Sequence, residues 1–275
     1  NNEGNFHGYG ELKKKDGEEY KGSFINNLYH GQGFLKTPGV GEYKGSFLKG
    51  LLQGKGEYKY INGDRYIGDF KNNQIIGKGT FVDSSGLRYD GNFNKGNFHG
   101  YGELKKKDGE VYKGSFLNNL YQGQGELKKK DGELYKGSFN NNLYHGQGFL
   151  KIPGVGEYKG SFSNGLIQGK GEYKYSNGAR FIGDFKNNQL IGKGTFIDTS
   201  GLRYDGNFNK EGNFHGYGEL KKKDGELYKG SFNNSLYHGQ GFLKIPGVGE
   251  YKGSFLNGLM QGKGEYKYIN GDRYV

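Results

Sequence analysis

Cysteine and tryptophan are missing from this 275-residue chain, methionine occurs once, and proline occurs three times. Without cysteine there is no disulfide and no thiolate chemistry, and a reducing, cytoplasmic setting is the expectation. No apolar run is long enough to cross a bilayer as a helix, and no signal peptide is present, although a piece of a longer chain would have lost either. Nor does any segment carry a 3.6-residue apolar period of helical length, which leaves no place for helices.

What the chain has in excess is glycine, 56 residues, with 24 tyrosines and 20 phenylalanines. Composition alone would suggest low complexity, but the order is strict. The stretch LYHGQGFLKIPGVGEYKGSF stands at Leu143–Phe162 and again, unchanged, at Leu236–Phe255. With Thr37 in place of Ile it also stands at Leu28–Phe47. An aromatic-x-Gly-x-Phe pattern starts at Tyr20 and returns every 23 residues, apart from one step where Glu211 is inserted. A Gly-x-Gly pattern keeps the same beat, so that twelve units fill the chain. The units fall into four subtypes, A to D, in the order A-B-C-D-A-A-B-C-D-A-B-C.

Within each unit the residues alternate. Tyr20, Gly22 and Phe24 share one parity and Lys21 and Ser23 the other, as in a half-buried strand. Asp16-Gly17, Pro38-Gly39, Asn62-Gly63 and Ser85-Gly86 supply the turns between strands. The glycines share the parity of the aromatics. Both glycines of each Gly-x-Gly are therefore expected beneath a ring, in a core exemplified by Tyr20, Gly22, Phe24, Gly31 and Gly33 and by Tyr112, Gly114, Phe116, Gly123 and Gly125. One hairpin cannot bury such a face alone, but a stack of hairpins can. The expected fold is all-β, an elongated antiparallel β-hairpin solenoid.

YKGSF followed by HGQG or QGKGE, then DG or NG and the next tyrosine, resembles the MORN repeat (membrane occupation and recognition nexus) over essentially the whole chain. Phenylalanine closes the first strand where the family often has tryptophan. The expectation is a single repeat array over residues 1–275, truncated within a repeat at its C-terminus. The resemblance implies a non-catalytic scaffold or spacer that assembles other proteins, or self-associates, in a cytoskeletal, ciliary or membrane-cortex structure. Two alternatives stay open: a peripheral module for acidic phospholipids such as phosphoinositides at the inner face of a membrane, and the regulatory array of an enzyme whose catalytic domain lies outside this chain.

The net charge of +11 is spread over the units, none of which exceeds +2, so no basic stripe offers itself to nucleic acid. His7, His30, His99, His145, His215 and His238 each precede a Gly-x-Gly on the polar parity. Equivalent positions in adjacent units stand about 9.6 Å apart, too far to share a metal ion. Repeated glutamates such as Glu57 and Glu172 and repeated serines such as Ser23 have no partner at unique spacing, so no catalysis is indicated and no cofactor is expected. GVGEYKG at Gly39–Gly45 is glycine-rich, but no helix follows to cradle a phosphate. Asn233-Asn234-Ser235 matches a glycosylation sequon once. The most distinctive local feature is the Lys-Lys-Lys-Asp-Gly-Glu turn. Two of these fall in adjacent units, at Lys105, Lys106 and Lys107 and at Lys128, Lys129 and Lys130, and are the candidate contact for an acidic lipid or acidic partner.

Overall fold

The computed structural model describes residues 4–275, which form 24 strands and no helix. The first strands show the pattern: β1 (Gly8–Lys13), β2 (Glu19–Ile25), β3 (Leu28–Thr37), β4 (Gly41–Leu48) and β5 (Leu51–Tyr60). The chain divides into two compact units. The first runs to Gly132 and includes Phe139–Asn142, and the second is made of Glu133–Ser138 and Leu143–Val275. In the first unit each strand pairs antiparallel with its sequence neighbours as far as Leu120–Lys128. In the second the same holds from Leu143–Ile152 to Arg273–Tyr274.

Within each unit register lines up one glycine from each successive strand, apart from the two-residue strand Arg273–Tyr274. In the first unit Gly10 pairs with Gly22, Gly22 with Gly33, Gly33 with Gly45 and Gly45 with Gly56, and the row continues to Gly125. Tyrosine rings lie over this row. A β-carbon on Gly22 would stand 2.5 Å from Tyr20 Oη, and one on Gly33 2.6 Å from the same atom, so no larger residue fits under the ring. The hydroxyl then donates to the carbonyl of Ser23 at 2.9 Å, satisfying the one polar atom that burial of the ring would strand.

The core is a chain of rings on this face. Tyr20 meets Phe24 of its own hairpin edge-on at 5.0 Å and Phe47 of the next at 5.2 Å. Tyr43 repeats the sandwich between Phe47 and Phe70. In the second unit Tyr158 does so between Phe162 and Phe185. Edge-to-face pairs of this kind add about 0.5–1.5 kcal/mol each beyond the area they bury. Where the following strand begins with another aromatic, a second ring stacks on top, as Tyr29 does on Tyr20 at 3.8 Å. A single layer of strands thus buries Tyr20 to 1% exposure and Tyr112 to 0%.

Gly31 and Gly123 depart from the expectation that both glycines of Gly-x-Gly lie under rings. Both have positive φ (62° and 69°), and their missing β-carbons point toward Ser23 and Ser115 instead of a ring. They sit at a register break: Gly22 faces Gly33, but the next pair is Ser23 with His30, so Gly31 and Gln32 are extra on β3. This is a bulge that glycine permits at the least strain, and it recurs in other hairpins, as between Gly114 and Phe116.

The hairpins close through two-residue turns that the glycine signals did not mark. Asn26 and Asn27 both have positive φ (48° and 64°), as a type I′ turn requires. Asn72-Asn73 and Asn118-Asn119 in the first unit and Asn187-Asn188 in the second do the same. These turns also join repeat to repeat. The Asn27 amide donates to the carbonyl of Phe6, and the Phe6 amide donates back to Asn27 Oδ1 at 2.7 Å. Asn119 holds Phe98, and Asn188 holds Ile167, in the same way. Asn234-Ser235 of the sequon occupies the equivalent turn, where Ser235 Oγ accepts from the Phe214 amide.

Candidate interaction surface

The face opposite the rings carries the residues that alternate with the glycine row, and it is polar. In the first unit several of its charges are tied in pairs. Lys21 meets Glu11 at 2.6 Å, and Lys105 and Lys113 converge on Glu103 at 2.6 and 3.0 Å. Hydrogen bonds from Lys105 and Lys113 hold the Glu103 carboxyl below its usual range. Burial pushes the Asp90 carboxyl up, but the Arg88 fork and the Thr80 hydroxyl outweigh it and hold the group below its usual range. In the second unit Asp205 repeats this arrangement with Arg203 and Thr195, Glu172 is held by Arg180 at 3.5 Å, and Glu219 by Lys229 at 2.9 Å.

A groove of about 1140 Å³ crosses this face in the second unit. It spans seven strands, from Gln147 on Leu143–Ile152 to Glu219 on Phe214–Lys221. Its floor is the backbone of the glycine row from Gly160 to Gly218, and its walls are the two side-chain rows that flank that line.

The core residues named from the sequence lie on the ring face. Tyr20, Phe24, Tyr112 and Phe116 are buried. Gly22, Gly33, Gly114 and Gly125 lie under the rings of Tyr20 and Tyr112, while Gly31 and Gly123 form bulges. The lysine triplets lie at the long-turn end of the hairpins, with part of their charge already engaged. Lys106 pairs with Glu110 at 2.7 Å, as Lys14 does with Glu18 and Lys222 with Glu226. The glutamate in turn accepts from the ring above it: Tyr29 Oη donates to Glu18 at 2.7 Å. Burial, followed by this contact with Glu18, pushes the Tyr29 hydroxyl up to about 12. The Lys107 stem lies against the Gly86 turn. Lys128 ends the strand Leu120–Lys128, and Lys129 and Lys130 follow it into the corresponding turn. Among the described residues no three His, Cys, Asp or Glu side chains gather as a metal site would need. Of the histidines, His30 and His238 stand across from Ser23 and Ser231 on the polar face.

Two features escaped the sequence reading, the asparagine turns and the groove. Paired asparagines spaced by the repeat period were the available signal for the turns. The groove had none, because its walls come from residues that alternate with the glycines in seven different strands.

A family model described as MORN repeat matches twelve segments: 2–19, 20–38, 43–65, 66–88, 89–111, 112–133, 135–153, 158–180, 181–203, 204–226, 228–246 and 251–273. No curated protein matches the chain. Among solved structures, the chain is similar to the TCP domain of SAS-4 (dCPAP) from Drosophila melanogaster, determined in complex with a proline-rich motif of Ana2 (dSTIL). Identity there is 12%, covering 82% of this chain and 90% of that one, with a TM-score of 0.23. It is also similar to the TCP10 domain of Danio rerio CPAP, at 11% identity, 88% and 97% coverage and a TM-score of 0.29. Virginiamycin B lyase from Staphylococcus aureus follows at 8% identity, 88% and 94% coverage and a TM-score of 0.15. Scores this low have no bearing on function.

Proposed function

The chain belongs to the MORN-repeat family, and on that premise we propose that it is a non-catalytic repeat scaffold holding protein partners in a cytoskeletal, ciliary or membrane-cortex assembly. MORN repeats are generally non-catalytic modules and commonly serve interactions with proteins or membranes. No helix among the described residues is long and apolar enough to cross a membrane.

The observation that carries the reading is uniformity. The shifted pKa values follow from burial of tyrosine rings, as at Tyr43, Tyr60 and Tyr158, or from hydrogen bonds and ion pairs between neighbours, as at Glu103 and Asp83. Among the described residues no unit gathers such groups into a cleft the way a catalytic site does. The ion pairs at Lys105 and Lys106 count against the acidic-lipid alternative, because they engage part of the charge that would meet a bilayer.

Proximity labelling from the full chain in its native cell tests the scaffold. A reproducible set of cytoskeletal or cortical neighbours supports it, and a set indistinguishable from that of the free label refutes it. A single recurrent enzyme as the dominant neighbour would favour the regulatory-array alternative instead.

A further inference from the structure

We propose that the polar-face groove of the second unit is a docking site for an acidic polypeptide segment in extended conformation. The inference rests on the scaffold reading and names the chemistry of one partner. Three lysines, Lys159, Lys170 and Lys193, line the groove, are solvent-exposed, and have no carboxylate within ion-pair distance among the described residues. The acidic residues of the same walls are spoken for by arginine or lysine, apart from Asp184. Three free cations therefore face one free carboxylate, a local surplus of two positive charges (3 − 1 = 2).

This surplus is distinct from that of the lysine turns, where Lys106 and Lys222 already hold glutamates. The groove also offers two apolar contacts, since Ile182 is 45% exposed and Tyr217 68% exposed within the same walls. Cations interleaved with exposed apolar side chains suit a segment that alternates carboxylates with apolar residues.

Size agrees with that occupant. Seven strands give six steps, about 29 Å at ~4.8 Å per step, which an extended chain covers in about nine residues at ~3.3 Å each. The backbone groups of the floor are already paired within the sheet, so the segment would be held by side chains and not as an added strand. The residues are also written twice. QGKGE and IGKGTF of the second unit recur in the first, where Lys55 and Lys78 stand at the places of Lys170 and Lys193.

The test is fluorescence anisotropy on the full chain with a labelled nonapeptide alternating Glu with Val and Tyr, against the same peptide with Lys for Glu. The acidic peptide is expected to bind at least about tenfold more tightly, and raising salt should weaken it. Changing Lys55, Lys78, Lys170 and Lys193 together to Glu should weaken binding by about tenfold or more, whereas changing them to Arg should preserve it. Amide shifts of Ile182 and Tyr217 on titration locate the peptide without any substitution. Equal binding of the two peptides overturns the proposal, as do shifts confined to the ring face. So does a loss caused equally by reversing the charge of Lys105–Lys107 and Lys128–Lys130, or a groove that takes acidic-lipid vesicles and not the peptide. Failure here with the cytoskeletal neighbours retained removes the groove and leaves the scaffold standing.

Discussion

Exchanging one hydroxyl between two copies of the same repeat isolates what that hydroxyl contributes. Tyr66 and Phe181 hold equivalent places, in RYIGDFK and RFIGDFK. Both rings are fully buried and sandwiched alike: Tyr66 lies 5.2 and 5.0 Å from Phe70 and Phe93, and Phe181 lies 5.3 and 4.9 Å from Phe185 and Phe208. They differ in that Tyr66 Oη donates to the Asp69 carbonyl at 3.2 Å, while no hydroxyl reaches the Asp184 carbonyl from Phe181. That carbonyl sits at the bulge, where the ladder breaks register.

A buried hydrogen bond contributes about 0.5–1.5 kcal/mol net, and 3.2 Å is longer than the usual O–H···O range, so about 0.5–1 kcal/mol is expected here. Tyr66→Phe should lose that amount, and Phe181→Tyr should gain it. In a chain of this size the shift in Tm is about 1–4 °C. Because repeat arrays need not unfold in one step, urea denaturation should be paired with amide exchange in Arg65–Lys71 and Arg180–Lys186. Slower exchange in Arg180–Lys186 of Phe181→Tyr, with faster exchange in Arg65–Lys71 of Tyr66→Phe, is the expected pattern. If Tyr66→Phe is neutral and Phe181→Tyr destabilises by more than about 1 kcal/mol, the second site has no room for the hydroxyl, and the bond is not what selects tyrosine in this row.

A β-carbon on Gly114 would stand 2.5 Å from Tyr112 Oη and 2.6 Å from Gly125 Cα, so Gly114→Val should destabilise by about 1–3 kcal/mol or more while Ser115→Val changes melting little. At Gly123, where the constraint is a φ of 69° and the nearest atom is 3.7 Å away, asparagine should be tolerated far better than valine. Asn119→Ala removes the acceptor for the Phe98 amide and puts alanine at a φ of 69°, for an expected loss of about 1–2 kcal/mol by thermal melt, with Asn119→Gly losing less. Burial raises the hydroxyls of Tyr43, Tyr89, Tyr158 and Tyr204 from 10 to about 12. The neutral ring is thus favoured in the folded state, its stabilisation is complete below pH 10, and it is lost as pH rises through 12; circular dichroism should follow unfolding across that window. Acidic vesicles should sediment the chain weakly at low salt and not at physiological salt, and retention at physiological salt that is lost when Lys105–Lys107 and Lys128–Lys130 become Glu would restore the lipid reading.

The 23-residue beat, the strand alternation and the shared parity of glycine and aromatics determined by themselves that this chain is a β-hairpin array with Tyr20, Phe24, Tyr112 and Phe116 inside. Those properties are local, since period-2 alternation assigns a face to each residue from its neighbours in sequence. Parity could not separate Gly31 from Gly33, because a bulge that adds two residues preserves parity while changing φ, and the conformation appears only once the facing strand is in place. The asparagine turns were half legible: their residues are plain in the sequence, but the bond from Asn27 to Phe6 needs two repeats already stacked. The lysine triplets were easy to find, and only the fold brings Glu103 to Lys113 and Glu110 to Tyr121, which decides how much of their charge is free. The groove depended on tertiary structure entirely. Its walls collect one or two residues from each of seven strands, and whether Lys170 and Lys193 meet a carboxylate depends on side-chain reach across the sheet, which no single strand encodes.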